Sequence, residues 1–175
     1  YMKMLNQAIA AAKGEPAARD KSECLVDLRV DAYIPDRYIP DGPGRIEAYR
    51  RIAAVGSPAD AEDVLDELID RYGDPPASVS DLVSVSLVRV LAASVGVYEV
   101  TQKKDLLTLA LDKLELPMIR GLLTAFGGRV TAGAGAKPYL SITLREGEKP
   151  LELLRQLLGA MADIQNKAGG GAKDP

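Results

Sequence analysis

Seven carboxylates lie between Ser57 and Asp74, at Asp60, Glu62, Asp63, Asp66, Glu67, Asp70 and Asp74, against a single base, Arg71. Carboxylates at this density could chelate a hard cation or divide into a general acid and a general base. Their setting argues against both: helical spacing, no glycine turns to fold the chain around an ion, and no histidine to share a metal or a proton. The chain has no histidine, no tryptophan and one cysteine, Cys24, so zinc sites and Ser-His or Cys-His nucleophilic schemes cannot be assembled. Cys24, next to an apolar strand and without a disulfide partner, reads as an ordinary half-buried residue. The glycines at 127–128 and 133–135 follow a helix or separate strands, so they read as turns. A phosphate loop would join a strand to a helix N-terminus. The expectation is no catalytic, cofactor-binding or metal-ligating residue.

Two readings of the carboxylates remain. One is a solvated helix face; the other is a docking surface for a basic partner, which would relieve the self-repulsion of so one-sided a charge. From 101 to 149 the balance reverses, with Lys103, Lys104, Lys113, Arg120, Arg129, Lys137, Arg145 and Lys149 against Asp105, Asp112, Glu115, Glu146 and Glu148. That excess reads as ordinary surface or as a weak contact for phosphate backbones. A formal net charge of -3 and a pI near 5.1 make a dedicated nucleic-acid surface the minor reading.

The elements that position these residues follow from periodicity. With 175 residues, 47% of them apolar, the chain can bury one sizeable core, with room for a smaller attached lobe. Residues 2–13 read as a helix with Met4, Leu5, Ala8, Ile9 and Ala12 on one stripe and Gly14 as its stop; 15–23 form a polar loop. A strand over 25–30 runs into Tyr33-Ile34-Pro35-Asp36 and Tyr38-Ile39-Pro40-Asp41. The prolines push Ile34 and Ile39 out of the α region, which predicts an extended, stiff connector. Asp41 then caps a helix with Pro43 in its first turn and Ile46, Tyr49, Ile52 and Ala53 on one face. Ser57-Pro58-Ala59-Asp60 opens the acidic helix, whose apolar side carries Val64, Leu65, Leu68, Ile69 and Tyr72 and which stops at Gly73. A nearly all-apolar helix over about 78–95 reads as central and buried.

The second half alternates strands (97–102, 106–111, 129–132, 139–145) with helices (about 115–126 and 150–166). The fold class expected is α+β: a helical N-terminal half with one strand and a Pro-rich connector, then a small, mostly antiparallel sheet with two helices. The division expected is 1–24 as helix and loop, 25–168 as the domain, and 169–175 as a disordered tail. No run of ~18 to 20 apolar residues and no leader pattern is apparent, so no membrane partner and a cytoplasmic location are expected. Tyr1-Met2-Lys3-Met4 opens as if mid-helix, which suggests a piece of a longer protein.

The stretch Val-Asp-Leu-Arg-Val-Asp-Ala-Tyr-Ile-Pro-Asp-Arg-Tyr-Ile-Pro-Asp from Val26 to Asp41 resembles the C-terminal domain of bacterial transcription-repair coupling factors. So do Arg45-Ile46-Glu47-Ala48-Tyr49-Arg50-Arg51-Ile52 and Asp66-Glu67-Leu68-Ile69-Asp70-Arg71-Tyr72-Gly73-Asp74-Pro75-Pro76. The likeness is specific from Val26 to Gly96 and looser beyond. It implies a longer parent: a UvrB-like N-terminal module, an RNA-polymerase-interacting domain and a DNA translocase that uses ATP to push stalled RNA polymerase off damaged DNA and recruits UvrA. ATP and Mg would bind the parent's motor domains. No Walker A loop occurs in this sequence, so the chain is expected to be non-catalytic.

The resemblance further implies a regulatory role, in which the domain packs on the UvrB-like module and masks UvrA binding. Glu67, Asp70 and Arg71 match the family's docking stretch and are the implied polar contacts, with Asp63 and Asp66 as supporting charge. Tyr33, Pro35, Tyr38 and Pro40 form the structural connector. UvrA, RNA polymerase and DNA would be reached indirectly, through the parent. The alternative is a module that contacts DNA or RNA polymerase directly with its basic second half.

Overall fold

The elements follow one another as β1 (Leu25–Asp27), α1 (Gly42–Ala53), α2 (Pro58–Tyr72), α3 (Ala77–Ser94), β2 (Val97–Lys103), β3 (Leu106–Leu111), α4 (Leu116–Phe126), β4 (Val130–Gly133), β5 (Tyr139–Thr143) and α5 (Pro150–Gly171). They are seen in a computed structural model that describes residues 23–171. The helix expected over 2–13 lies outside the described residues, as do 172–175. The tail expected from Gly169 overlaps the last turn of α5.

Helix starts and stops obey local chemistry. The Asp41 carboxylate accepts from the Gly44 N–H at 2.9 Å, and the Ser57 hydroxyl accepts from the Asp60 N–H at 3.1 Å. Asp60 in turn accepts from the Gly56 N–H at 3.0 Å, a capping box that reaches one residue further back than usual. Gly73 ends α2 at φ 84°, where any Cβ would be strained.

The strands form one sheet in the order β1-β2-β3-β5-β4. Only β1 and β2 run parallel; the other neighbours are antiparallel. The fold is α+β as expected, but β1 does not stay with the helical half. It forms the sheet edge, with Leu25 opposite Glu99 and Val26 opposite Val100. Parallel neighbours need a long crossover, and α1, α2 and α3 supply it. The strand also ends at Asp27, short of Val30. Beyond it a bond from the Arg29 N–H to Gln102 Oε1, at 2.9 Å, still ties the chain to β2.

Two apolar clusters meet at α3. One lies between the sheet and α3, α4 and α5, with Leu107, Leu109, Leu140, Ile142, Leu154 and Leu157 fully enclosed. The other joins the connector to α1, α2 and α3 through Ile34, Ile39, Ile52, Leu68 and Val83. Val79, Val83 and Leu87 of α3 belong to the helical cluster, Val88 and Ala92 to the sheet cluster, and Leu91 packs against both. This double duty explains why α3 is apolar nearly all round. Contrary to the sequence reading, α3 is long and apolar enough to cross a membrane, at 18 residues and a mean hydropathy of 1.4. Here its two sides are taken up by the two cores.

Two further expectations are corrected. On α1 the buried residues are Ala48 and Ile52, while Ile46 and Tyr49 are 62% and 40% exposed. Ile52 belongs to both possible stripes, and contact with α2 and α3 selects the one through Ala48. The connector is not extended throughout. The N–H groups of Tyr38 and Ile39 both donate to the Pro35 carbonyl, at 3.0 and 3.2 Å, closing a turn over residues 35–39. Proline restricts its own φ and the residue before it, so 36–38 are free to turn. Burying Ile34 and Ile39 in one cluster requires that they do.

Candidate docking site

The acidic helix α2 is held at three places. Its start is fixed by the Ser57 cap. Its side is fixed by Glu67, whose carboxylate pairs with Arg51 of α1 and lies 4.0 Å from Arg71 one turn on. Its end is fixed by Tyr38, whose phenol donates to the carbonyls of Gly73 at 2.8 Å and Leu68 at 3.2 Å. The Tyr38 ring also meets Tyr72, centroids 5.8 Å apart and tilted by 58°. The Arg71 guanidinium lies 5.5 Å from the Tyr72 ring centre, close enough for a cation–π contact.

Burial, and after it the Asp74 carboxylate and the Tyr72 phenol, hold the Tyr38 phenol above its ordinary pKa. The folded phenol therefore keeps its proton more tightly than the unfolded one. Its contribution to stability is complete below pH ~10 and is lost as the pH rises through the higher folded value. Tyr38→Phe is expected to cost about 1 kcal/mol at neutral pH, by loss of a partly buried hydrogen bond. Urea denaturation between neutral pH and pH ~11 is expected to show a shallower alkaline loss in the variant than in the parent. An identical alkaline slope would refute this role for Tyr38.

With those anchors in place, the expected site residues divide. Glu67 and Arg71 are engaged in contacts within the domain. Asp63, Asp66 and Asp70 are exposed and, among the described residues, make no ion pair. They fall on one stripe of α2, at i, i+3 and i+7, beside Ile69, which is 41% exposed. The cleft between α1 and α2, bordered by Ala48, Arg51, Glu67 and Arg71, measures about 70 Å³, far below the size of an organic-ligand site. Among the described residues no group of three or more Cys, Asp or Glu could hold a metal ion.

The connector residues also divide. Pro35 and Ile34 are buried, Tyr38 is half-buried, and Tyr33 and Pro40 are exposed. In the basic half, Arg129 is committed internally: it pairs with Glu148 and donates to the Thr143 carbonyl at 2.7 Å. Glu148 also accepts from the Arg145 N–H; that backbone bond, ahead of the Arg129 contacts, holds its carboxyl below the usual value. Lys113 lies 3.4 Å from Glu115. These contacts thin the basic excess available to a phosphate backbone.

The family model of the TRCF domain matches residues 28–119, more than half of the chain, a span that contains the connector, the acidic helix and α3. The chain belongs to the TRCF domain family. Over 171 residues, 95% of the chain, it is 30% identical to the transcription-repair-coupling factor of Bacillus subtilis (strain 168). Over 127 residues, 67% of the chain, it is 35% identical to that of Mycobacterium bovis. The chain spans only 14% and 10% of the length of these relatives. A crystal structure of the C-terminal domain of transcription-repair coupling factor matches with a TM-score of 0.71 at 25% identity, covering 83% of this chain and 97% of that one. The chain is thus a TRCF C-terminal domain of a transcription-repair coupling factor and not a catalytic motor domain.

Two features of this TRCF domain escaped the sequence reading. Arg51 is the partner of Glu67, signalled only by the Arg50-Arg51 pair in the last turn of α1. Tyr38 is a latch on α2 as well as a connector residue, and nothing in its local sequence distinguishes it from Tyr33.

Proposed function

We propose that this TRCF domain is a non-catalytic regulatory module that docks through α2 on the UvrB-like N-terminal module of its parent and masks UvrA binding until stalled RNA polymerase is engaged. The parent is an ATP-dependent DNA translocase of bacterial cytoplasm that removes stalled polymerase at lesions; ATP and Mg belong to its motor domains. UvrA, RNA polymerase and DNA reach this domain through the parent.

One observation carries the reading. Asp63, Asp66 and Asp70 stand exposed and without an ion pair among the described residues, on a helix where Asp60 and Glu67 are engaged within the domain. A rigid, single-signed stripe favours a partner that brings Arg or Lys, both by steering encounter and by fixing register. Ile69 within the stripe adds an apolar anchor. Closed and open states need differ by only a few kcal/mol for polymerase engagement to switch them.

The chain titrated against a separately expressed UvrB-like module tests this. Binding is expected to weaken as salt rises and to be displaced by UvrA. No binding at low salt, or binding indifferent to UvrA, would overturn the proposal. Salt-steep binding to duplex DNA in its place would assign the role to the basic half.

A further inference from the structure

The two apolar clusters divide the domain along the length of α3, and they are unequal. Val79, Val83 and Leu87 face the helical cluster, Val88 and Ala92 the sheet cluster, so the boundary falls between Leu87 and Val88. Of the twelve largest side chains enclosed completely among the described residues, only Ile39 and Ile52 belong to the helical cluster. Hydrophobic stabilisation scales with the apolar area taken from water, so the helical unit is the weaker of the two. It also carries seven carboxylates between Ser57 and Asp74 against Arg71 alone, a like-charge load that opposes compactness. The polar contacts of this unit run mainly within it. Glu67 of α2 pairs with Arg51 of α1, and Tyr38 of the connector holds the end of α2. The Tyr49 hydroxyl accepts from the Ile34 N–H at 2.9 Å, and Arg45 donates to the Ile39 carbonyl at 2.8 Å. A backbone bond from the Tyr33 N–H to the Ser78 carbonyl, at 3.2 Å, reaches α3 at its first turn.

We infer that residues 34–73, the connector with α1 and α2, open from α3 as one cooperative unit while the sheet, α4, α5 and the end of α3 stay folded. Cooperative units of this kind coincide with supersecondary motifs. The topology permits it: the unit lies within the crossover between β1 and β2, so its release requires no pair of strands to separate. Opening uncovers Val79, Val83 and Leu87 and frees Asp63, Asp66 and Asp70 from the fixed setting of α2. It is a device that switches the acidic stripe without unfolding the domain. The inference concerns the domain alone and stands whether or not α2 docks.

Native-state hydrogen exchange of the full chain, followed through low urea, tests this with a matched pair of variants. Ile39→Val lies in the helical cluster and Ile142→Val in the sheet cluster; each trims a fully buried side chain by one carbon and leaves the fold intact. In the unmodified chain the amides of α1 and α2 are expected to share one urea-dependent opening and to exchange at least about ten-fold faster than those of β3 and β5. Ile142→Val is expected to raise exchange in β3 and β5 by roughly two- to twelve-fold. It is expected to leave α1 and α2 unchanged, because the sheet cluster is intact in the opened state as well. Ile39→Val is expected to raise exchange in both sets by a similar factor, because Ile39 is buried only while the helical unit is closed. If α1 and α2 exchange at the rate of the sheet, or if Ile142→Val raises both sets equally, the domain opens as a single unit and the proposal fails. Different urea slopes for α1 and α2 would also overturn it, because the helices would then open one by one.

Discussion

Replacing Asp63, Asp66 and Asp70 together by lysine is expected to weaken binding of the TRCF domain to the UvrB-like module by at least about 100-fold, while the domain stays folded. Close charge pairs across an interface couple by ~1.5 kcal/mol or more. About 1.4 kcal/mol is a factor of ten in affinity, so the loss of two such pairs already reaches that figure. Reversal adds repulsion against the basic partner to the loss of attraction. Folding is expected to be unharmed, because all three side chains are exposed and surface substitutions of this kind shift stability by no more than about 0.5 kcal/mol. Reversal also turns like-charge i,i+4 pairs such as Glu62 with Asp66 and Asp63 with Glu67 into opposite-charge ones, a small gain. Calorimetric titration reads the affinity and thermal unfolding reads the fold. In the parent, the same triple variant is expected to bind UvrA without polymerase. An affinity within roughly threefold of the unmodified domain would remove α2 from the interface.

Glu67 gives the contrast that makes this result interpretable. Its carboxylate is already paired with Arg51 and near Arg71, and both partners of the first pair are substantially exposed. Glu67→Gln is expected to cost about 0.2–1 kcal/mol of stability, in the range of partly exposed ion pairs. Its effect on docking comes through the setting of α2 against α1, so it is expected to be smaller than that of the triple reversal. The two variants thus separate a residue that would touch the partner from one that positions those residues.

How much was legible in the sequence depended on the range of the interactions. The caps at Asp41 and Ser57 and the stop at Gly73 were readable because each depends on a few adjacent residues. The charge of α2 was readable because composition alone carries it. The buried face of α1 was not: Ile46, Tyr49 and Ile52 make as good a stripe as Ala48 and Ile52, and only the packing of the helical cluster separates them. The place of β1 was not readable either. Three residues pairing with a strand more than seventy positions away leave no local trace. The Glu67–Arg51 pair and the Tyr38 latch depend on those same long-range placements, so they became visible only when α1, α2 and the connector were seen together.

The connector's role can be decided by comparing its two isoleucine–proline repeats with their exposed neighbours. Ile39 is fully buried in the helical cluster with Ile52, Leu68 and Val79. Its surroundings are tight: a Cβ built on Gly44 would stand 3.3 Å from Ile39 Cγ2, so little is available to collapse into a void. Ile39→Ala is therefore expected to cost about 2–5 kcal/mol, transfer and cavity terms together. In a domain whose total stability is of order 5–15 kcal/mol, this corresponds to a fall in Tm of roughly 4–20 °C. Tyr33→Ala, at a side chain 50% exposed, is expected to stay within about 0.5 kcal/mol of the parent. Because Tyr38, the residue before Ile39, holds the end of α2, the cavity is expected to loosen the acidic stripe and weaken docking even where the domain is still mostly folded. Thermal unfolding and the module titration run on the same samples read both effects. If Ile39→Ala cost less than about 1 kcal/mol, below the range for a buried isoleucine, the Tyr-Ile-Pro-Asp repeats would be a tether, and the setting of α2 would have to come from α1 and α3 alone.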